Sequence, residues 1–302
     1  MCTTISPLKL ATSWTAFALL ATQACAQETR TGFFYGLTGA VIFSGETDMG
    51  SSEQIQSTRT VLQGEIIKPK DPYNSIGADI LIGRTQYTFG QSLGPDSDLD
   101  IDELQISVPI HFTVGQRGGA FVAPNISYAG ENGVDFDEGA TSGLIAGLAW
   151  QLSPNLMIGP GLGLQTTLQD DIDIFPFVVV DWKISDRWSL STGSGFAASR
   201  GPGLRVAYQH NDTIEFGLEG RYEEFEFRLN KDHSVSNGYG TDSHTAVVLT
   251  GKYSPNERLT VTGFAGAALN GNISFTNQSG VEVSSKDYDT TPIFGVSARL
   301  KF

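Results

Sequence analysis

The segment His233-Ser234-Val235-Ser236-Asn237-Gly238 is where this sequence comes nearest to enzyme chemistry. An imidazole can take the proton of a nearby serine hydroxyl and so activate the oxygen as a nucleophile. On one strand the pair must be an even number of residues apart, because successive side chains point to opposite faces. Ser236 is three residues from His233 and Ser234 is adjacent, so neither shares its face. The surrounding Asn and Gly mark a loop. Four alternating carboxylates, Asp96, Asp98, Asp100 and Asp102, offer loose divalent-cation binding. They do not form an EF-hand, since Ile101 stands at the required Gly and Ser107 at the closing Glu. Gly159-Pro160-Gly161-Leu162-Gly163 and Gly201-Pro202-Gly203 lack the following helix that completes a phosphate cradle. His111, His210, His233 and His244 share no metal-ligand spacing. The expectation is no catalysis, no metal centre and no cofactor.

The elements around these residues are of one kind. The 302 residues include 33 acidic and 19 basic ones, a net charge of −14. Such acidity excludes a nucleic-acid partner, which needs clustered Lys and Arg. A hydrophobic share of 40% is too high for a disordered chain. Residues 1–26 read as a secretory signal peptide: Lys9, an apolar run from Leu10 to Ala21, and Ala24-Cys25-Ala26 at the cleavage site. Cleavage there leaves residues 27–302 with net charge −15, and removes both cysteines, Cys2 and Cys25. Disulfides and thiol chemistry are then excluded.

From Phe33 onward, apolar and polar residues alternate in short runs broken by Gly, Pro, Asn, Asp and Ser. Fourteen runs begin near 33, 58, 76, 101, 120, 141, 156, 173, 188, 203, 214, 243, 258 and 290. Period-2 alternation marks half-buried strands. Short connections (69–75, 116–119, 153–155, 185–187, 211–213, 254–258) alternate with longer ones (44–57, 90–102, 131–140, 168–172, 199–202, 230–242, 276–289). Short turns on one rim and long loops on the other define an outer-membrane barrel. The expected fold is therefore all-β, an antiparallel up-and-down transmembrane barrel of about 14 strands. Twelve is the fallback should the weak runs 58–68 and 120–130 fail to span. Phe112, Trp150, Trp182, Trp188, Tyr208, Tyr253 and Phe302 have outward parity near short turns or the C-terminus, and form an expected aromatic girdle at the membrane interface.

Inward charges gather in one region. Glu215, Glu219, Arg221 and Glu223 share the parity opposite to Ile214, Phe216 and Leu218. A three-residue turn at 211–213 sets Arg205 opposite Glu219, and Lys252 lies inward on the next run. These six residues form an expected lumen charge ladder. Segments 44–57, 90–102, 131–140 and 168–173 carry nearly all the acidic excess, which makes the outer rim negative.

The closing run Phe294–Phe302, alternately apolar and ending in Phe, resembles the assembly signal of bacterial outer-membrane proteins. Asp181–Trp188, Gly201-Pro202-Gly203-Leu204 with Tyr208, Phe225–Leu229 and Tyr288–Pro292 resemble an uncharacterised bacterial family of outer-membrane barrels, a domain of unknown function. That resemblance covers the last half to two-thirds of the chain. It implies outer-membrane location and barrel architecture, with no activity to carry over. The expected protein is a passive, porin-like channel or a structural protein of the Gram-negative envelope. Its expected partners are outer-membrane lipids, the assembly machinery through the C-terminal strand, and divalent cations at the acidic loops. Two alternatives stand beside it. One is an outer-membrane lipid hydrolase using His233 and Ser236, which resembles outer-membrane phospholipases in placing a His and a Ser before Asn-Gly. The other is a soluble periplasmic β-protein.

Overall fold

A computed structural model describes residues 32–50, 53–71, 74–90, 98–193 and 203–302. The expected signal peptide 1–26, Asp96 and Gly201-Pro202 lie outside them. Sixteen strand segments follow one another: β1 (Phe34–Asp48), β2 (Gln54–Pro69), β3 (Ser75–Gly90), β4 (Asp98–Ser107), β5 (Ile110–Val114), β6 (Gly118–Glu131), β7 (Ala140–Ser153) and β8 (Leu156–Thr166). Then come β9 (Ile172–Lys183), β10 (Trp188–Thr192), β11 (Gly203–Gln209), β12 (Ile214–Arg228), β13 (Tyr239–Tyr253), β14 (Leu259–Thr276), β15 (Glu282–Tyr288) and β16 (Thr291–Lys301). A one-turn helix, α1 (Phe136–Gly139), sits between β6 and β7.

Two strands are interrupted. Pro109, which has no N–H to give, separates β4 from β5, and both segments pair with β3 and β6. Residues 289–290 separate β15 from β16, and both pair with β14. Sixteen segments thus make fourteen staves. The last stave pairs with the first, Val296 opposite Val41, and closes the barrel. The weak runs do span: β2 and β6 are paired along both edges, so the twelve-strand fallback falls away.

Side-chain alternation decides which face is which. Ile82 (52% exposed), Leu218 (50%) and Leu249 (66%) stand outward, among a belt of exposed Ile, Leu, Val and Phe. Arg59, Glu103, Glu219 and Arg221 are buried inside. A soluble sandwich would bury such a belt between its sheets. Here the apolar face is the outer wall, so nothing favours the soluble periplasmic reading.

The long loops are shorter than the sequence pattern predicts, because the strands run on past the belt. Asp98–Asp102, Tyr239–Asp242 and Glu282–Tyr288 are strand, and the first hairpin stays paired up to Asp48 and Gln54. Spanning a membrane takes roughly 9–11 residues, whereas β14 has 18. The excess builds a second storey, and there the alternation inverts. On β12 the inward residues change from Glu215, Glu219, Arg221 and Glu223 to Phe225 and Phe227, while the outward ones change from Phe216 and Leu218 to Glu224 and Glu226. On β4, inward Leu99 and Ile101 lie above inward Glu103 and Gln105. Ile55, Tyr87, Phe89, Leu99, Ile101, Phe225, Phe227, Ile273 and Phe275 form an enclosed apolar core in this storey, joined by Leu229 and Val235 of the following loop.

The upper storey is also narrower. Gly130 at the end of β6 meets Arg228 at the end of β12 in a parallel bridge, bypassing β7–β11. Arg228 secures the seam: Nε donates to the Glu138 carbonyl and Nη2 to the Leu168 carbonyl, each at 2.8 Å. Leu168 N–H donates in turn to Glu226 Oε2 at 2.9 Å. Among the described residues, no member of the upper core comes from β7–β11.

At the short-turn rim, the three-residue turns 185–187 and 211–213 occur with the registers expected of them. The turn at 153–155 differs. Trp150 pairs with Ile158 as the sequence implies, but a bulge at Leu152 then brings Ser153 opposite Leu156.

Glycine makes room for the large inward side chains. Gly161 and Gly163 on β8 pair directly with Phe177 and Phe175 on β9. A Cβ at either glycine would fall inside the facing ring. The rings therefore lie flat over bare backbone, as in aromatic rescue of a strand glycine. Gly163→Val is expected to displace Phe175 from the cluster it forms with Phe121, Ile145 and Val179. Overpacking of this kind costs about 1–3 kcal/mol. A lower urea midpoint for the folded barrel would check it, and an unchanged midpoint would count against this packing.

Candidate functional site in the barrel interior

The interior of the lower storey holds a network of charges beside two buried apolar clusters, one around Phe121, Ile145 and Phe175 and one around Ala246, Val248 and Phe264. Register places Arg205 opposite Glu219 and Glu215 opposite Lys252. Arg205 Nε donates to Glu219 Oε1 at 2.8 Å and Nη2 donates to Glu215 Oε1 at 2.7 Å. Lys252 Nζ stands 3.6 Å from the same Glu215 oxygen. Arg221 is buried (3% exposed), lies over Gly203, and is held electrostatically by Glu223 and Glu219. All six residues of the expected ladder thus meet on β11–β13.

A second half of the network was not legible as such. Arg59 of β2 makes a two-pronged bond to Glu103 of β4, Nε to Oε1 at 3.1 Å and Nη2 to Oε2 at 3.0 Å. Thr85 of β3, between them, donates to the same carboxylate at 2.8 Å. Arg59 also feels the charge of Glu223 on β12, so the two halves interact. Arg59, Arg205, Arg221 and Lys252 balance Glu103, Glu215, Glu219 and Glu223. Below them, Arg299 pairs with Glu65. Above them, Tyr87 and Tyr288 donate to the two oxygens of Asp242 at 2.9 and 2.8 Å, with His244 Nδ1 3.3 Å from the Tyr288 hydroxyl. These groups come from strands far apart in sequence, so one-strand alternation marks them as inward but cannot match them.

Six of the seven expected girdle aromatics, Phe112, Trp150, Trp182, Trp188, Tyr253 and Phe302, are exposed on the outer wall. Tyr208 is half-buried against Trp188, ring centroids 5.0 Å apart. The N–H of Phe302 donates to the Tyr35 carbonyl at 2.9 Å, tying the C-terminus to β1.

The hydrolase residues are turned to other work. His233 Nδ1 accepts the Val235 N–H at 3.0 Å and its ring stacks on Phe275. Ser236 Oγ donates to the Lys231 carbonyl at 2.8 Å. Both bonds hold the loop in its packed conformation, and neither joins the two side chains. The acidic segment also has partners. Asp102 binds Arg84 Nε at 2.7 Å, and Asp100 accepts from Gln86 at 3.0 Å, on the outer wall of the upper storey. Among the described residues, no group of three or more His, Cys, Asp or Glu could hold a metal ion.

Fold and interior together define the class: a closed fourteen-stranded antiparallel barrel of the outer-membrane type. The family described as domain of unknown function DUF6268 matches residues 127–302, more than half of the chain, and the chain belongs to that family. Among solved structures it is similar to the COG4313 outer membrane channel from Pseudomonas putida F1, with 9% identity and a TM-score of 0.50, over 92% of this chain and 100% of that one. The translocator domain of autotransporter NalP from Neisseria meningitidis gives 11% identity and a TM-score of 0.40, over 91% and 90% of the two chains. The NanC porin gives 10% identity and 0.39, over 89% and 100%. No curated protein matches the sequence.

Proposed function

We propose that this chain is a passive outer-membrane channel of narrow, guarded conductance, with no catalytic role. One observation carries the reading: the lower storey turns four cations and four carboxylates inward, Arg59, Glu103, Glu219 and Arg221 of them buried, behind a wall whose outer face is apolar. A polar interior behind an apolar outer wall suits a barrel that passes water or ions. Burial of Arg59, Glu103, Glu219 and Arg221 argues against a wide pore. The engagement of His233 and Ser236 within their own loop weighs against lipid hydrolysis.

The outer rim supplies a selectivity element. Glu46, Asp48, Asp98, Asp137, Asp170 and Asp171 crowd this end, although Glu53 is paired with Lys286 and Asp102 with Arg84. A negative mouth concentrates cations, and salt screens the effect over about 10 Å at 0.1 M. Surrounding lipid contacts the belt and the aromatic rim, the assembly machinery reads the C-terminal strand, and divalent cations bind the acidic rim loosely.

Planar-bilayer recording tests the proposal. Wild type should show small conductance steps that prefer cations at low salt, with the preference fading as salt rises. Arg205→Ala should enlarge the steps or make openings more frequent, because Glu215 and Glu219 lose their shared cation. Leu218→Ala, on the outer wall, should leave conductance as it was. An anion-selective pore, or an Arg205→Ala barrel with wild-type conductance, would overturn the reading.

A further inference from the structure

A cleft of about 440 Å³ opens on the outside of the barrel, where the outer wall changes from apolar to polar. One hydrogen-bonded row crosses it over five strands: Phe294 pairs with Phe43, Phe43 with Thr58, Thr58 with Gln86, and Gln86 with Asp100. The two rings stack with centroids 5.4 Å apart, and both keep open faces to the outside. They are the uppermost aromatic residues on the outer faces of β1 and β16, with Pro292 above Phe294 and with Ser44, Gly45 and, on β3, Thr88 also lining the cleft. A break in the β1–β2 register between Ser44 and Thr47 bends β1 at this level.

We propose that this cleft binds the saccharide headgroup of a glycolipid in the outer leaflet, an inference that rests on the membrane placement above. The chemistry is that of sugar recognition. Ring faces take the C–H side of a pyranose, while the amide, hydroxyl and carboxylate beside them exchange hydrogen bonds with its hydroxyls. The volume falls within the range of small-ligand sites, about 300–1,000 Å³. Asp98 and Asp100 disfavour a phosphate in the cleft and favour neutral hydroxyl donors. The height favours a lipid-borne sugar: on β1 and β16 the aromatic part of the outer face ends at the two rings, so a lipid with its tails against the wall below has its headgroup level with the cleft.

Native mass spectrometry of the detergent-purified barrel tests this with three probes: lipopolysaccharide carrying core sugars, lipid A without them, and the free core oligosaccharide. Wild type should retain lipopolysaccharide at least tenfold better than lipid A. The Gln86→Ala/Asp100→Ala double variant should lose that preference while keeping the heat-modifiable gel mobility of a folded barrel. Phe294→Leu, which keeps apolar bulk without a ring, should weaken it in the same direction. Equal retention of lipid A, or a preference that survives in both variants, would overturn the proposal. Free oligosaccharide bound as tightly as the glycolipid would overturn the lipid-borne source. A chain that fails to partition into detergent would defeat the membrane placement itself, a separate result from loss of the sugar preference.

Discussion

Replacing Arg59 with Ala is expected to destabilise the barrel by about 3–5 kcal/mol, the cost of leaving a buried charge without its partner. Arg59 and Glu103 are both about nine-tenths buried and joined by two hydrogen bonds across β3. After truncation Glu103 retains the Thr85 hydroxyl, a neutral donor that offsets little of the carboxylate's desolvation. The damage should not stop at one pair, since Arg59 also helps to balance Glu223 on the far side of the interior. Arg59→Met combined with Glu103→Leu should recover most of the loss, because removing both charges restores balance. Arg84→Ala is the matched control. Its pair with Asp102 has similar geometry but lies exposed on the outer wall, where solvent screens it. Urea unfolding followed by tryptophan fluorescence would read all three. An Arg59→Ala barrel as stable as wild type would show that water already reaches this carboxylate.

Strand count, direction and register, the bulged turn at 153–155 excepted, were legible because each rests on a local pattern. Alternation gave the staves, and the odd-numbered turn at 211–213 placed Arg205 opposite Glu219. The upper storey was hidden behind the same rule. A single phase of alternation per run starts this strand near 101 and leaves Leu99 in the connection 90–102, apart from the strand that holds Leu104 and Ile106. The opposite parity of Leu99 and Ile101 is visible in the sequence, as is the switch from Phe216 and Leu218 to Phe225 and Phe227. A change of phase without a break in the strand means a change of surroundings, from membrane outside and polar interior to water outside and apolar interior. The seam between β6 and β12, and the pairing of Arg59 with Glu103, join strands that are not neighbours in sequence. No one-strand pattern encodes such meetings; closure of the barrel produces them.

That change of phase makes Phe216 and Phe227, eleven residues apart on β12, a discriminating pair. Phe227 is fully buried in the upper core, its ring lying over Gly240 and packed at 5.8 Å from Tyr87 and 5.4 Å from Phe225. Phe227→Ala should cost about 3–5 kcal/mol, the usual range for emptying a packed aromatic site. Phe216 faces outward and is half exposed. Its replacement by Ala removes contacts with lipid or detergent, which can close over the gap, and should cost much less. The loop after β12 reports where the loss falls, because Leu229 and Val235 rest on the core that Phe227 fills. Trypsin should therefore cut at exposed Lys231 several-fold faster in Phe227→Ala, while the fourteen-stave wall below keeps its heat-modifiable mobility. Local opening of this kind follows when a cooperative unit loses its own core and leaves the neighbouring one intact. If Phe216→Ala proved as costly as Phe227→Ala, or if cleavage at Lys231 did not respond, the two storeys would be one cooperative unit and the inverted phase would have no energetic meaning.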